Sequence, residues 1–264
     1  MSSIPIFDSL AHPTLNGKWL RAHDDASFET LQQQMASSSV KWACAVGMDG
    51  IGEYSHETFF AECQKYDNLF PVAGFNPLEG DIAETLARLK EIGFYGIKIH
   101  PRYSKVALTD ERMDLTFKEC AKIGLPVFLC TFFYEKSLNM IENNFLNLVK
   151  LVNSNADTKT ILVHGGAVEV MQYMELVRFN PNLLLDLSMT IIKYEGSSLD
   201  LDLQYLFKYF DRKICIGTDH PEYSQQELEK RFTHFSQEIS DEKRRNIAYL
   251  NISRFLGITL QPGI

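Results

Sequence analysis

Short apolar runs alternate with longer amphipathic segments from one end of the chain to the other. Eight of these runs are rich in β-branched residues and predict strands at 4–8, 41–48, 70–75, 95–100, 125–131, 160–164, 182–188 and 213–219. Strand starts recur about every 30 residues, which is the spacing that successive βα units with right-handed crossovers require. The pattern therefore predicts an α/β protein with a parallel sheet.

The segments between the strands have helical periodicity and recognisable ends. Between the third and fourth strands, Ile82, Leu86 and Leu89 fall on one stripe, and Gly93 stands where a left-handed C-cap is expected. In the next segment Thr109 is the predicted N-cap and Gly124 the terminator. Further helices are predicted at 25–38, 54–66, 137–153, 167–179 and 199–209, with one long final helix at 224–256.

Eight βα units without a detectable linker predict one domain, a single (β/α)₈ TIM barrel over residues 1–264. This length is close to the ~250 residues typical of that architecture. A doubly wound open sheet is the alternative. It is disfavoured because the stretch after the first strand, "DSLAHPTLNG", contains neither a GxGxxG turn nor a phosphate-binding lysine.

Charge and cysteine usage exclude several classes of function. The chain has 26 Lys+Arg against 34 Asp+Glu, a net charge of -8, and no basic run, so we expect no nucleic-acid and no membrane partner. It has neither a recognisable signal peptide nor an apolar run approaching the ~18 residues of a membrane span. Five isolated cysteines argue against a disulfide framework and against a thiolate zinc cage. These features predict a cytoplasmic protein.

Polar residues follow most of the predicted strands, where a barrel has its active site. They are Asp8 and His12, Lys98, His100 and Arg102, Cys130 and Thr131, His164, Asp186 and Ser188, and Asp219 and His220. Because Lys98 and His100 alternate with isoleucines, both cationic side chains are expected on the interior face of the fourth strand. His23, His56 and His234 are predicted to be surface residues.

Three of these strand-end residues could hold a metal ion. His12, His164 and Asp219 would converge at the barrel mouth, and two imidazoles with a carboxylate suit one divalent ion, of which Zn²⁺ is the best candidate. Such an ion would activate water, and a carboxylate beside it could act as general base. The alternatives are structural roles: either histidine in a turn, and Asp219 as the N-cap of the following helix. Cys130 has an alternative as a small buried hydrophobe.

The same strand ends resemble the amidohydrolase superfamily, in particular its amidohydrolase-2 branch of TIM-barrel metal-dependent hydrolases. The stretches that carry the resemblance are "DSLAH" at 8–12, "GIKIHP" at 96–101, "LPVFLCT" at 125–131, "ILVHGG" at 161–166 and "IGTDHP" at 216–221. The resemblance implies metal ligands at His12, His164 and Asp219. It also implies a second histidine at the position of Leu10 and one at the position of Cys130, so the chain departs from the pattern at both.

These residues lead to three functional hypotheses. The first is a metal-dependent hydrolase of a small ester, lactone or amide, with Asp219, Lys98 and His100 catalytic and with Arg102, Cys130, Ser188 and His220 contacting the substrate. The second is a lactonase or decarboxylase on the same scaffold that works without a metal, as Leu10 would permit. The third is a catalytically degenerate barrel that binds a ligand or partner. A small-molecule substrate is the expected partner, and a homo-oligomer is compatible with the sequence.

Overall fold

Eight parallel strands form a nearly closed barrel in the computed structural model, which describes residues 4–20, 25–134 and 143–260. The strands pair in the order β1 to β8. They are β1 (Ile6–Ala11), β2 (Val40–Val46), β3 (Leu69–Gly74), β4 (Ile97–Ile99), β5 (Val127–Cys130), β6 (Thr160–Val163), β7 (Leu183–Asp186) and β8 (Ile214–Cys215). The predicted eight strands and the predicted TIM barrel are confirmed.

Helices connect successive strands around the outside of the barrel. The first nine are α1 (Phe28–Ala36), α2 (His56–Cys63), α3 (Ile82–Ile92), α4 (Pro101–Ser104), α5 (Glu111–Ile123), α6 (Phe145–Ser154), α7 (Val170–Arg178), α8 (Thr190–Lys193) and α9 (Leu199–Tyr209). Gly93 (φ 111°) and Gly124 (φ 65°) end α3 and α5 in the predicted left-handed conformation. The N-cap predicted at Thr109 is wrong: Asp110 caps α5, because its carboxylate accepts both the N–H and the side-chain Nε–H of Arg112.

Several helices begin later than predicted: α1 begins at Phe28 rather than at residue 25, and α2 at His56 rather than at residue 54. The segment predicted to begin at 167 begins at Val170, because Gly165, Gly166 and Ala167 all have positive φ and form an irregular 3₁₀ turn, His164–Glu169, instead. Helix α6 begins at Phe145, where the side chain of Asn144 accepts the N–H of Asn147. The first part of the helix predicted at 137–153 lies outside the described residues.

The single long helix predicted at 224–256 is wrong. The segment is divided into α10 (Gln225–Ser236), α11 (Asp241–Arg245), a π-helical turn (Asn246–Leu250) and α12 (Asn251–Leu256). The break occurs because Ser240 starts a new helix, accepting the N–H of Lys243 with its side chain. Downstream, the buried amide of Asn251 donates to the carbonyls of Asp211 and Ile214 at 2.6 and 2.7 Å, which ties this segment to the amino end of β8.

Apolar side chains fill the barrel interior and a second layer between the barrel and its helices. The interior cluster consists of Phe7, Leu10, Trp42, Cys44, Val46, Val72, Phe128, Ile161, Val163, Leu184, Cys215, Ile252 and Ile258. Phe7 and Leu10 both belong to it although they lie three residues apart, since the register of β1 against β2 shifts between Asp8 and Ala11. Leu10 is therefore a fully buried residue of the interior core.

The structure also tests the predictions made for the cysteines, for three histidines and for membrane-spanning helices. All five cysteines are buried free thiols. His234 is exposed, as predicted, and His56 is half-buried, with its Nε2 2.9 Å from the carbonyl oxygen of Gly74. His23 lies outside the described residues. Within the described ranges, no helix has both the length and the apolar character needed to cross a membrane.

A glycine allows β1 and the end of β8 to approach each other and close the barrel. The N–H of Ser9 donates to the carbonyl of Ile216 and the N–H of Asp219 to that of Leu10, both at 2.9 Å. A Cβ at Gly217 would lie 2.7 Å from Ser9 Oγ and 2.9 Å from the main-chain nitrogen of Leu10. The seam, which is the contact between β1 and the end of β8, therefore has no room for a side chain at position 217.

We expect the substitution Gly217→Ala to lower the free energy of unfolding by about 3 kcal/mol, because the crowding atoms belong to a packed seam that cannot relax freely. Gly196→Ala is the control: no described residue lies within 4 Å of its added Cβ, so only the left-handed backbone is penalised, at about 1 kcal/mol. Urea unfolding of both variants measures the difference. Equal losses would contradict the assignment of Gly217 to barrel closure.

Candidate active site

A cavity of about 230 Å³ opens at the carboxyl ends of the strands. Its lining residues are His12, Trp19, Leu20, Met48, His100, Arg102, Tyr103, Phe132, His164, Met189, Lys193, Asp219 and Glu222. Five of the predicted site residues, on the loops after β1, β4, β6 and β8, are thus brought together at the end of the barrel where such enzymes have their active sites.

His12 is held as a neutral imidazole whose Nε2 is available. Its Nδ1 lies 2.8 Å from the carbonyl oxygen of Val46, so Nδ1 carries the hydrogen and Nε2 keeps a lone pair. Burial, and secondly the charge of Lys98, lowers the pKa of His12 to about 3. The ring stacks on Trp19 with 5.2 Å between centroids, and the indole N–H donates to Glu222 at 3.3 Å. The ring is therefore fixed on both its edge and its face.

His164 is positioned in the same manner by the end of β7. It has a left-handed backbone (φ 69°), and its N–H donates to the carboxylate of Asp186 at 3.2 Å. Its Nδ1 lies 3.1 Å from the carbonyl oxygen of Ser188, which leaves Nε2 as the acceptor nitrogen. Burial, followed by the charge of Lys98, holds the pKa of His164 well below its ordinary value. A second neutral imidazole therefore lines the cavity.

Asp219 is a buried carboxyl group with a proton affinity suited to acid–base chemistry. Burial raises its pKa to about 7, against the lowering effect of Lys98. Its Oδ1 lies 3.5 Å from Nε2 of His12. Asp219 does not cap the next helix, since Ser224 is the N-cap of α10. A carboxyl group with a pKa near neutrality can both accept and return a proton at physiological pH.

Lys98 places a buried positive charge beside the cavity. Its flanking residues Ile97 and Ile99 pack in the outer layer, so the lysine lies on the interior face, as the alternation predicts. The side chain is 2% exposed, and Nζ makes no hydrogen bond to any of the residues that the structure describes. Burial lowers its pKa, whereas Cys130 and the carboxylate of Asp219 raise it.

The charge of Lys98 acts on most of the ionisable groups of the cavity. It lowers the pKa values of His12, His100, His164 and Asp219. Lys98 does not itself line the cavity. It therefore influences the site through its electrostatic field.

The loop after β4 brings a second group of cationic and aromatic side chains to the rim. His100 precedes α4 and packs edge-on against Tyr103, with 4.7 Å between ring centroids. Burial, then Lys98 and Arg102, holds the pKa of His100 well below its ordinary value. The guanidinium carbon of Arg102 lies 4.9 Å from the ring centroid of Phe132, and Nζ of Lys193 lies 6.0 Å from it. Two cations thus lie against one aromatic ring at the cavity.

Three other residues assigned to substrate contact from the sequence lie outside the cavity lining. Cys130 is fully buried at the end of β5. Ser188 donates its hydroxyl to Asp186, and its carbonyl fixes His164. His220 is fully buried, its pKa is lowered to about 4 by burial, and its carbonyl accepts the N–H of His12 at 2.8 Å. In these positions the carbonyl of Ser188 holds His164, and the carbonyl of His220 holds His12. A direct role in substrate binding stays a prediction for Cys130, Ser188 and His220.

Several side chains of the cavity lining were not predicted from the sequence. Trp19, Met189 and Lys193 follow β1 and β7, yet no pattern distinguishes them from their neighbours. Phe132 lines the cavity, whereas the adjacent Phe133 packs in the outer core. The signal that could have found them is proximity to a strand end combined with an aromatic or cationic side chain.

The predicted metal ligands supply suitable atoms but do not form a metal site as they are placed. Nε2 of His12 and Oδ1 of Asp219 are 3.5 Å apart, and both histidines present an acceptor nitrogen. Across the three described ranges, however, no group of three His, Cys, Asp or Glu side chains is close enough to hold an ion. Leu10, at the position where the resemblance implies a further ligand, is buried in the barrel interior. The arrangement does not fit a preformed three-ligand zinc site.

An eight-stranded parallel barrel with ionisable side chains at its carboxyl ends defines the class of (β/α)₈-barrel enzymes. The family model described as Amidohydrolase matches residues 21–258. The chain therefore belongs to this amidohydrolase family. No curated protein matches it significantly.

Solved structures with the same fold include enzymes of two kinds. A probable 2-pyrone-4,6-dicarboxylic acid hydrolase from Acinetobacter baumannii has a TM-score of 0.70 and 14% identity, covering 97% of this chain and 100% of that one. An amidohydrolase from Burkholderia multivorans with bound zinc has a TM-score of 0.73 and 12% identity, with coverage of 97% and 100%. 5-Carboxyvanillate decarboxylase from Sphingomonas paucimobilis has a TM-score of 0.72 and 13% identity, covering 97% of this chain and 100% of that one. At these identities the similarity shows that the fold is shared, and nothing more.

Proposed function

We propose that the chain hydrolyses an ester, lactone or amide bond of a small anionic carbonyl compound in the cavity at the barrel mouth. The observation that carries this proposal is that a largely buried carboxyl group, Asp219, and a buried ammonium group, Lys98, lie near enough to shift each other's pKa, while Nζ of Lys98 has no hydrogen-bond partner among the described residues. A base and a fixed cation beside one cavity are the two groups that attack of water on a carbonyl requires. Membership of the amidohydrolase family supports the same reaction class.

Arg102 and Lys193 favour a substrate with an anionic group. Both cations lie against Phe132 at the cavity, and Arg102 offers a planar donor fork that matches a carboxylate. Phe132 and Trp19 add aromatic surface for the apolar part of such a molecule. A carboxylate held at this rim would direct the rest of a small substrate toward Asp219.

In the proposed mechanism Asp219 moves the proton. In its ionised form it removes a proton from a water molecule as the oxygen of that water attacks the carbonyl carbon. The protonated carboxyl faces Nε2 of His12, which is a neutral acceptor 3.5 Å away and can hold the hydrogen in place. Asp219 then returns the proton to the leaving oxygen or nitrogen as its bond to carbon breaks. The products are an alcohol or amine and a carboxylic acid, which keeps the second proton of the water and then ionises by releasing it to the solvent.

Lys98 supplies the electrostatic stabilisation. Negative charge develops on the carbonyl oxygen during the attack, and a fixed positive charge in a water-poor environment stabilises that oxyanion more strongly than it stabilises the uncharged carbonyl group of the bound substrate. Because the ammonium lies beside the site without a hydrogen-bond partner among the described residues, little reorganisation is needed when the oxyanion forms. His100 lines the cavity, and its neutral ring is available to orient the substrate.

A second candidate keeps the reaction class and adds a divalent ion. It is favoured by one observation: Nδ1 of both His12 and His164 contacts a main-chain carbonyl, the arrangement that fixes metal-binding histidines with Nε2 toward the ion. With Asp219 these residues could close around zinc only by moving from their present positions. Zinc would supply Lewis-acid activation of water. Zinc titration of the metal-stripped protein followed by calorimetry tests this candidate.

The proposed base predicts a pH dependence of kcat/KM. Asp219 must be ionised, and burial raises its pKa to about 7, so kcat/KM rises as pH increases through about 7. At high pH the activity falls again when Lys98 loses its proton, at a pH below the ordinary lysine value because burial lowers its pKa. Esters, lactones and amides are first screened as a panel of substrates. For a compound that is hydrolysed, kcat/KM measured between pH 5 and 10 gives both the acidic and the alkaline limb of the profile.

The acidic limb has a specific control. In Asp219→Glu, the longer carboxyl group lies in a different position, so we expect the acidic limb to shift and the activity to fall while the alkaline limb stays. A wild-type acidic limb near pH 4, typical of an exposed carboxyl group, would contradict the role of Asp219. Ligand binding without turnover across the whole panel would instead support a binding protein.

A further inference from the structure

A second cavity lies at the opposite end of the barrel from the candidate active site. It has a volume of about 640 Å³, within the usual range for small-molecule sites. Lys159 directly precedes β6, Pro181 lies just before β7, and Lys213 directly precedes β8, so the cavity lies at the amino ends of these strands. The closing helices supply its other wall through residues of α11, the π-helical turn and α12.

The lining of this cavity is strongly cationic in a chain that is acidic as a whole. Five cations line it against one carboxylate, whereas the net charge of the chain is -8. The cations are Lys159, Arg212, Lys213, Arg245 and Arg254, and the carboxylate is Glu242. Such a concentration of one sign raises the local potential and attracts anions.

Most of this positive charge has no carboxylate partner among the described residues. Arg212 pairs with Glu242 at 3.2 Å. Lys213 donates to the main-chain carbonyl of Asn180 at 2.9 Å and Lys159 to that of Phe255 at 3.2 Å, and neither lysine forms an ion pair with a described carboxylate. Among the described residues, the exposed guanidinium groups of Arg245 and Arg254 make no hydrogen bond or ion pair.

The rest of the lining suits an organic molecule. Nζ of Lys159 lies 5.7 Å from the ring centroid of Phe255, and Leu183, Leu184 and Leu250 add apolar surface. Leu250 belongs to the π-helical turn, a rare irregularity that occurs frequently at functional sites. The cavity thus combines two guanidinium groups that have no partner among the described residues with an aromatic and aliphatic floor.

We propose that this cavity binds a small organic polyanion, with two or more phosphate or carboxylate groups held by Arg245, Arg254 and the two lysines. Guanidinium groups bind both kinds of anion through paired N–H donors, so the shared chemistry is a cluster of anionic oxygens. The position at the amino ends of the strands makes this site separate from the catalytic cavity. The proposal does not depend on the reaction proposed above.

Titration calorimetry of the full chain at low salt, with ATP, inorganic triphosphate and citrate as probes, tests the proposal. We expect at least one probe to bind, with the affinity falling about tenfold in Arg245→Ala and about tenfold in Arg254→Ala, because each removes a charged hydrogen-bonding group. Both side chains are exposed, so both variants should fold. Binding of the two phosphate probes alone identifies phosphate groups as the ligand, and binding of citrate alone identifies carboxylates.

Two matched variants locate the binding. Arg88→Ala removes an exposed arginine on α3 that pairs with Glu57 at 3.0 Å, and it should leave the affinity unchanged. If Arg102→Ala abolishes binding while Arg245→Ala and Arg254→Ala do not, the anions occupy the catalytic cavity and the proposal is wrong. Absence of binding for all three probes, or stronger binding of a single-stranded oligonucleotide than of any probe, would also overturn it.

Discussion

Replacing Lys98 with methionine should reduce kcat/KM by about 10²–10³ and, at the same time, raise the melting temperature. The activity falls because the fixed positive charge that stabilises the oxyanion is lost. The fold gains stability because a buried ammonium group without a hydrogen-bond partner among the described residues is replaced by an apolar side chain of similar length. A gain of about 1–4 kcal/mol is expected for removing buried charge of this kind.

This combination of effects distinguishes an electrostatic role from a structural one. Lys118→Met is the matched control. Lys118 is an exposed residue of α5 that pairs with Asp114, and its replacement should change neither kcat/KM nor the melting temperature by much. Turnover and thermal unfolding are measured on the same preparations. If Lys98→Met lowers the melting temperature together with the activity, the lysine supports the fold, and the proposed role is wrong.

Asp219→Asn should reduce kcat/KM by about 10²–10⁴ without unfolding the protein. The amide cannot accept the proton of the attacking water, so general-base catalysis is lost. The backbone at this position is left-handed (φ 63°), a conformation that asparagine tolerates better than most residues, and the substitution is nearly isosteric. We expect circular dichroism and the melting temperature to stay close to those of the wild type.

The control for this variant is Asp67→Asn, an exposed aspartate remote from the cavity, which should leave turnover unchanged. The same panel substrate and pH 8 are used for both, so that Asp219 is mostly ionised in the wild type. Retention of more than about a tenth of the wild-type activity by Asp219→Asn would rule out the proposed base, because general-base catalysis contributes at least about 10²-fold.

The barrel was predictable because its signals are local and repeated. Each strand is a short apolar run, and α3 and α5 end at glycines whose left-handed conformation the pattern anticipated. The division of the last segment was not predictable in the same way, because both the helix before Ser240 and the helices after it have helical periodicity. What separates them is a single N-cap hydrogen bond, together with tertiary anchors such as the contact of Asn251 with the start of β8.

The candidate site was predictable only to the level of strand ends. Sequence position brought His12, His100, His164 and Asp219 to the same cavity. It did not indicate that Ser188 would fix His164 through its carbonyl, or that Lys98 would lack a hydrogen-bond partner within the described ranges. Both facts depend on loop geometry and side-chain packing between residues far apart in sequence, which periodicity and motif spacing do not report.

Turnover by wild-type protein from which divalent metal has been removed decides whether Asp219 and Lys98 are sufficient for hydrolysis. These residues supply base and cation without an ion, so we predict that the chelated, metal-free protein, verified by elemental analysis, keeps its kcat/KM on a panel substrate. Loss of activity on chelation, with recovery when zinc is added, would contradict metal-free catalysis and show that the ion supplies the positive charge that we assign to Lys98.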